Sequence, residues 1–145
     1  MQVDTDRRYT FAVAPEDLWA TVTQVDRYQE WWPWLRRFDG TELVQDARWR
    51  CTVQPPLPYA VRFAVCLDQV DAPMAARATV SGDVVGHAHI TIGPAAAGSE
   101  VHVRATLSPA NGFLRVVSRV AGPVVRFGHD WVLDSAVRQF TSRAL

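Results

Sequence analysis

His87-Ala88-His89 puts two imidazoles on one face of an extended strand, and His102 on the next strand would lie diagonally from His89. Three imidazoles can hold a divalent metal. Arg104 falls directly across from His89 and would repel a cation, so the three read as solvated surface histidines and no metal is expected. Cys51 and Cys66 are too few for a disulfide framework and their spacing matches no metal knuckle or redox pair. Their strands are hairpin neighbours, but opposite parity sends the thiols to opposite faces, with Cys51 near Val61, so both read as plain thiols. No His or cationic group shares a face with Cys51 to stabilise a thiolate. An acid–base residue would have to come from the rim, where Tyr9, His129 and Asp130 are the candidates, with Asp134 a further acid nearby. Asp134 and Arg138 read as an i,i+4 pair on a helix surface.

Trp31, Trp32 and Trp34 form an aromatic cluster that reads either as a core plug or as a lip at a pocket mouth, with one or two rings buried. Stacking on single-stranded bases would need interleaved positive charge, and only Arg36 and Arg37 are near. Pro55-Pro56-Leu57-Pro58 reads as a rigid hairpin loop whose tip, Leu57, flanks a cavity mouth.

The 145 residues are 48% hydrophobic and 21% charged, the balance of one globular domain over residues 1–145. Fifteen arginines and no lysine balance fifteen acids, so no sequence-wide basic field draws in nucleic acid or an anionic membrane. No apolar run approaches the roughly 20 residues that span a bilayer, and the charged start carries no apolar signal region. The expectation is a cytoplasmic monomer or homodimer without cofactor, nucleic-acid partner or stable membrane insertion.

The elements follow from periodicity. Tyr9, Phe11 and Val13 alternate as in a half-buried strand, and Ala14-Pro15-Glu16-Asp17 opens a helix carrying Leu18, Trp19, Val22 and Val25. A second short helix is expected from Tyr28 to about Phe38, ended by Asp39-Gly40. Five alternating segments follow, broken at Pro55 to Pro58, Asp71-Ala72-Pro73, Ser81-Gly82-Asp83 and Gly93-Pro94 through Ser99; evenly spaced turns predict a twisted antiparallel meander. From Phe113 to Ala144 the spacing is helical, with Phe113, Val117, Val120, Val124, Gly128 and Trp131 on one face, and Gly122-Pro123 predicts a break near Ala121.

Strand parity sorts the meander. Trp49, Cys51, Val53, Val61, Phe63, Val65 and Leu67 share one face with Ala76, Ala78, Val80, Ala88, Ile90 and Ile92. Val101, Val103, Ala105 and Leu107 complete it, while the arginines, threonines and histidines of these strands take the other face. Cys51 is the one titratable group on the inner face, which argues against hydrolytic or triad chemistry. Ala76, Ala78, Ala88, Ala105 and Gly86 leave room there. A Leu-sized void costs about 2–5 kcal/mol, so either the tryptophans or an apolar ligand must fill it. On the second alternative, Ala78→Trp should block uptake.

With these elements the chain resembles the START-like helix-grip (SRPBCC) superfamily, in its bacterial polyketide cyclase/dehydrase and lipid transport branch. The similar stretches are Phe11-Ala12-Val13-Ala14-Pro15-Glu16-Asp17-Leu18-Trp19, the segment Tyr28 to Trp34, and the turn Ser81-Gly82-Asp83-Val84-Val85-Gly86. The resemblance implies an α+β helix-grip fold. A curved antiparallel sheet of about seven strands would wrap around a long C-terminal helix, with two short helices after the first strand. It also implies an apolar cavity for a hydrophobic small molecule such as a lipid, polyketide or quinone, in a binding or carrier protein; the alternative is an aromatase/cyclase-type enzyme using a rim acid or base. The expected ligand-binding residues are Trp49, Cys51, Phe63, Val65, Ala76, Ala78, Val80, Ile90, Ile92, Val103, Val117, Val120, Val124 and Trp131.

Overall fold

The computed structural model describes residues 2–71 and 74–145; Ala72 and Pro73 of the expected turn lie outside the described residues. Strand β1 (Val3–Phe11) leads into helix α1 (Pro15–Val22), where Pro15 opens the helix and Glu16 and Asp17 occupy its first turn. A 3-10 turn (Val25–Arg27) and the four-residue α2 (Tyr28–Trp31) precede β2 (Leu35–Asp39). The meander is β3 (Arg48–Val53), β4 (Val61–Asp71), β5 (Ala75–Gly82), β6 (Val84–Ala95) and β7 (Gly98–Pro109). Helices α3 (Gly112–Val120) and α4 (Gly122–Arg143) close the chain.

The expected helix from Tyr28 to Phe38 is wrong in its second half, which is β2. A bulge in the pairing of β2 with β3 falls between Leu35 and Arg37, so Leu35 and Phe38 reach the same face although three residues apart. Three is also a helical spacing, and the bulge therefore disguises a strand as the continuation of a helix. The C-terminal break falls where Gly122-Pro123 predicts it: Ala121 has φ −139° and ψ 57°, and α4 starts afresh behind it.

The seven strands form one antiparallel sheet in the order β1-β7-β6-β5-β4-β3-β2. Register puts Arg7, Val103, Ile90 and Ala76 in one row across β1, β7, β6 and β5. The next row runs Thr5, Ala105, Ala88, Ala78, Leu67, followed by Val3, Leu107, Gly86, Val80, Val65 and Trp49. Glycine is required at the β5–β6 turn. A Cβ on Gly86 would stand 1.8 Å from the Thr106 carbonyl oxygen, and one on Gly82, at φ +120°, 2.8 Å from that of Arg62.

The sheet grips α4 with unequal filling. At one end Phe11, Leu18, Val25, Trp31, Ile92 and Phe140 make a solid core, with Phe140 edge-on to both Phe11 and Trp31. Tyr28, Phe38 and Trp49 pack mutually along the β2–β3 side, and the Tyr28 hydroxyl donates to the Val22 carbonyl at 2.6 Å. Trp31 and Trp34 are buried and Trp32 is half-buried. Trp32 and Trp34 donate their indole N–H groups to the Ala136 carbonyl and the Gln139 side chain, and so pin the far half of α4.

Candidate functional site

At the opposite end the grip stays open. A cavity of about 310 Å³ lies between Val3, Thr5, Val103, Ala105 and Leu107 of the sheet's β1–β7 side, Val53, Val61 and Phe63 of β3 and β4, and Leu114, Val125, His129 and Val132 of the helices. Pro55 and Tyr59 border it from the β3–β4 loop. Gln54 holds that loop in shape, its amide nitrogen donating to the carbonyls of Pro55, Leu57 and Tyr59. The loop leans on α4 at Gly128, where an added Cβ would meet Leu57 Cδ1 at 3.0 Å and the Tyr59 hydroxyl at 3.5 Å. A glycine at this helical position lets the loop close down.

One wall is polar. The Thr5 side chain, buried on β1, lies with its Oγ1 3.0 Å from His129 Nε2, while His129 Nδ1 lies 3.1 Å from Asp130 Oδ1. A carboxylate only accepts, so in the neutral ring Nδ1 carries the proton and Nε2 accepts from the Thr5 hydroxyl. Arg7 extends the chain, its guanidinium reaching Asp130 at 3.1 Å and Asp134 at 2.9 Å. Thr5 Oγ1, with its hydrogen committed to His129, is left as an acceptor among cavity atoms that are nearly all carbon. Burial pushes the Tyr59 hydroxyl pKa up, which keeps that side chain neutral.

The expected site residues distribute unevenly. Phe63 and Val103 line the cavity. Trp49 is inward but spent on Phe38 and Tyr28, and its indole N–H donates to the Glu42 carbonyl. Cys51 is buried opposite Phe63 and Phe38, not Val61, and burial pushes its thiol up to about 12. Val65 and Val80 face each other one row beyond Phe63, and neither they nor Ala76 and Ala78 line the cavity. Ile92 belongs to the solid core, and Ile90 is exposed. Trp131 packs edge-on against Trp34.

The helical part of the expected set lies outside the cavity. Val120 is 84% exposed, Val124 is also exposed, and Val117 is half-buried outside the cavity. The turn at Ala121 resets the helical phase, so the inward stripe of α4 runs through Val125, Gly128, Val132 and Ala136 instead. Asp134 likewise pairs with Arg7 across the grip, and Arg138 bonds Ser135 at 3.4 Å in place of the expected helix pair. Parity carried back along β1 from Tyr9 puts Thr5 and Arg7 on the inner face, a signal that the expected set leaves unused. The Tyr9 hydroxyl itself is buried without a hydrogen-bond partner among the described residues and does not border the cavity.

The two thiols are free. No cluster of three metal-ligating side chains occurs among the described residues. His89 sits across from both Arg77 and Arg104, and burial together with those two cations lowers its pKa. His102 instead pairs with Asp6.

A curved antiparallel sheet that grips a long C-terminal helix defines a helix-grip fold. The model of the family described as polyketide cyclase / dehydrase and lipid transport matches residues 2–143, and the chain belongs to this family. Its fold is similar to that of a protein from Thermus thermophilus, with TM-score 0.79 and 13% identity over 99% of this chain and 97% of the other. A START superfamily protein from Mycobacterium smegmatis aligns with TM-score 0.70 and 13% identity over 99% of this chain and 96% of the other. The di-domain ARO/CYC StfQ from the steffimycin biosynthetic pathway aligns with TM-score 0.72 and 15% identity, over 99% of this chain and 51% of that one. No curated protein matches the sequence. Among the described residues no helix is long and apolar enough to cross a membrane.

Proposed function

We propose that the protein binds and carries a hydrophobic small molecule bearing one hydroxyl group, with the hydrocarbon part in the cavity and the hydroxyl on Thr5. The observation that carries this reading is the hydrocarbon-lined space of about 310 Å³ with a single hydrogen-bonded polar pair, Thr5 and His129, on its wall. That volume is at the small end of the roughly 300–1,000 Å³ typical of ligand pockets. Affinity would come from apolar burial, at about 25 cal/mol per Å². Orientation would come from a ligand O–H donated to Thr5 Oγ1, whose own hydrogen goes to His129. The family's description, which includes lipid transport, supports the same reading.

The test is a thermal-shift comparison of 2-naphthol with naphthalene, together with mass spectrometry of organic extracts of the purified protein. A ligand that binds only the native state raises the melting temperature. Both compounds should stabilise, the naphthol more. Absence of a shift with either compound and of any extracted apolar molecule would overturn the reading.

A second reading rests on His129 alone. An imidazole fixed by Asp130 on a cavity wall has the geometry of a general base, as an aromatase/cyclase-type enzyme would need. This reading requires that a bound polyketone leave the protein dehydrated or cyclised, and that His129→Gln abolish the conversion. A polyketone recovered unchanged favours the carrier.

A further inference from the structure

Helix α3 turns an apolar face away from the protein. Phe113, Val116 and Val120 recur at i, i+3 and i+7 and are all exposed, while Leu114 on the opposite side is buried against the body. Beyond the break at Ala121, Val124 and Phe127 at the start of α4 are exposed as well. Half of the exposed large hydrophobic side chains among the described residues therefore gather on this one corner, a concentration that marks an interaction surface.

The charges that this segment itself carries are of one sign. From Val101 to His129 the chain has no Asp or Glu, and Arg115, Arg119 and Arg126 all lie on this corner, exposed. None of the three forms an ion pair among the described residues. The chain as a whole is neutral, so the positive charge is a local departure, concentrated beside the apolar patch.

We infer that α3 and the first turns of α4 dock on the surface of an anionic lipid bilayer, with Phe113, Val116, Val120 and Phe127 dipping into the headgroup–acyl boundary and the three arginines meeting lipid phosphates. A short helix with an apolar face flanked by arginines is the form that lies in such an interface rather than crossing it. A second copy of the chain fits less well, because a two-fold contact would bring the same arginines onto one another. Docking on this side also brings the cavity wall to the membrane, since Leu114 of α3 and Val125 of α4 both line the cavity.

The experiment is cosedimentation of the full chain, without added cavity ligand, with vesicles of phosphatidylcholine alone and of equal parts phosphatidylcholine and phosphatidylglycerol. The protein should sediment with the mixed vesicles, weaken on them in high salt, and stay in solution with phosphatidylcholine alone. Removing Arg115 and Arg119 together as Arg115→Gln/Arg119→Gln should reduce partitioning about fivefold per arginine. Val116→Asp/Val120→Asp should abolish it; the two side chains are 59% and 84% exposed, so the melting temperature should not move. Equal sedimentation with both vesicle types, none with either, or undiminished binding by both double variants would overturn the proposal. So would a dimer in sedimentation velocity that Val116→Asp/Val120→Asp dissolves. Vesicle binding is read without cavity ligand, so failure of the naphthol test and failure of docking are separate results.

Discussion

The Thr5 hydroxyl and the His129 ring, 124 residues apart in sequence, meet at 3.0 Å on the wall of the cavity. Replacing His129 by Leu removes the acceptor and leaves the buried Thr5 hydroxyl without its partner, at a cost of about 1–3 kcal/mol. The melting temperature should fall accordingly. The double variant Thr5→Val/His129→Leu, which removes both acceptors, should make the naphthol and naphthalene shifts equal; a preserved naphthol advantage there would remove Thr5 and His129 from the site.

The cavity's dimensions should respond to Ala105, which lines it, and much less to Ala78, which does not. Ala105→Phe is expected to abolish the thermal shift of either naphthalene compound while costing about 1–3 kcal/mol in stability from overpacking. Ala78→Trp, the substitution that parity alone favours, should leave binding intact. The reverse result would mean that the ligand lies deeper along the sheet, over β5.

Gly128 should matter through the loop it admits. Gly128→Ala gains up to about 1 kcal/mol of helix propensity but crowds Leu57 Cδ1 at 3.0 Å, so the net change in unfolding free energy should be small. Gly128→Leu has no such compensation. It should push the loop of Pro55 and Tyr59 outward and weaken ligand binding, measurable as increased protease sensitivity within residues 54–59.

Cys51 predicts a pH dependence. Its thiol is pushed up to about 12 by burial, against about 8.5 in an unfolded chain. Above about pH 8.5 the unfolded state releases the proton and the folded state keeps it, so stability falls as pH rises, by about 1.4 kcal/mol per unit from this group until about pH 12. Tyr28, also raised by burial, adds to the fall at higher pH. Denaturation of Cys51→Val should show a shallower alkaline slope than the parent, and at pH 8 iodoacetamide should label Cys66 before Cys51.

Arg7 joins α4 to β1 through Asp130 and Asp134, but the three side chains are 36%, 41% and 61% exposed. Solvent screening therefore limits Arg7→Gln to about 1 kcal/mol or less. Arg138→Gln should cost less still, since among the described residues Arg138 reaches only Ser135. Equilibrium denaturation of the two variants should rank them in that order.

What the linear chain determined is the sheet and its two faces. A period of two is written into each strand, so the inward set from Trp49 to Leu107 and the outward arginines and histidines follow from local chemistry, and the break at Ala121 follows from Pro123. The β2 strand was hidden because its bulge gives Leu35 and Phe38 a helical spacing. Which part of the inward face stays empty was not legible either. Parity names a face but not what covers it, and only the packing of Trp31, Trp34 and Trp49 at one end, against a loop propped on Gly128 at the other, moved the cavity away from Ala78 and Ile92 toward Ala105 and Leu107. The phase of α4 depended on the backbone turn at Ala121, and the pairing of Thr5 with His129 on the closure of the first strand against the last helix. The first is a matter of backbone angles that Pro123 announces but does not specify, and the second is a long-range contact that no periodicity encodes.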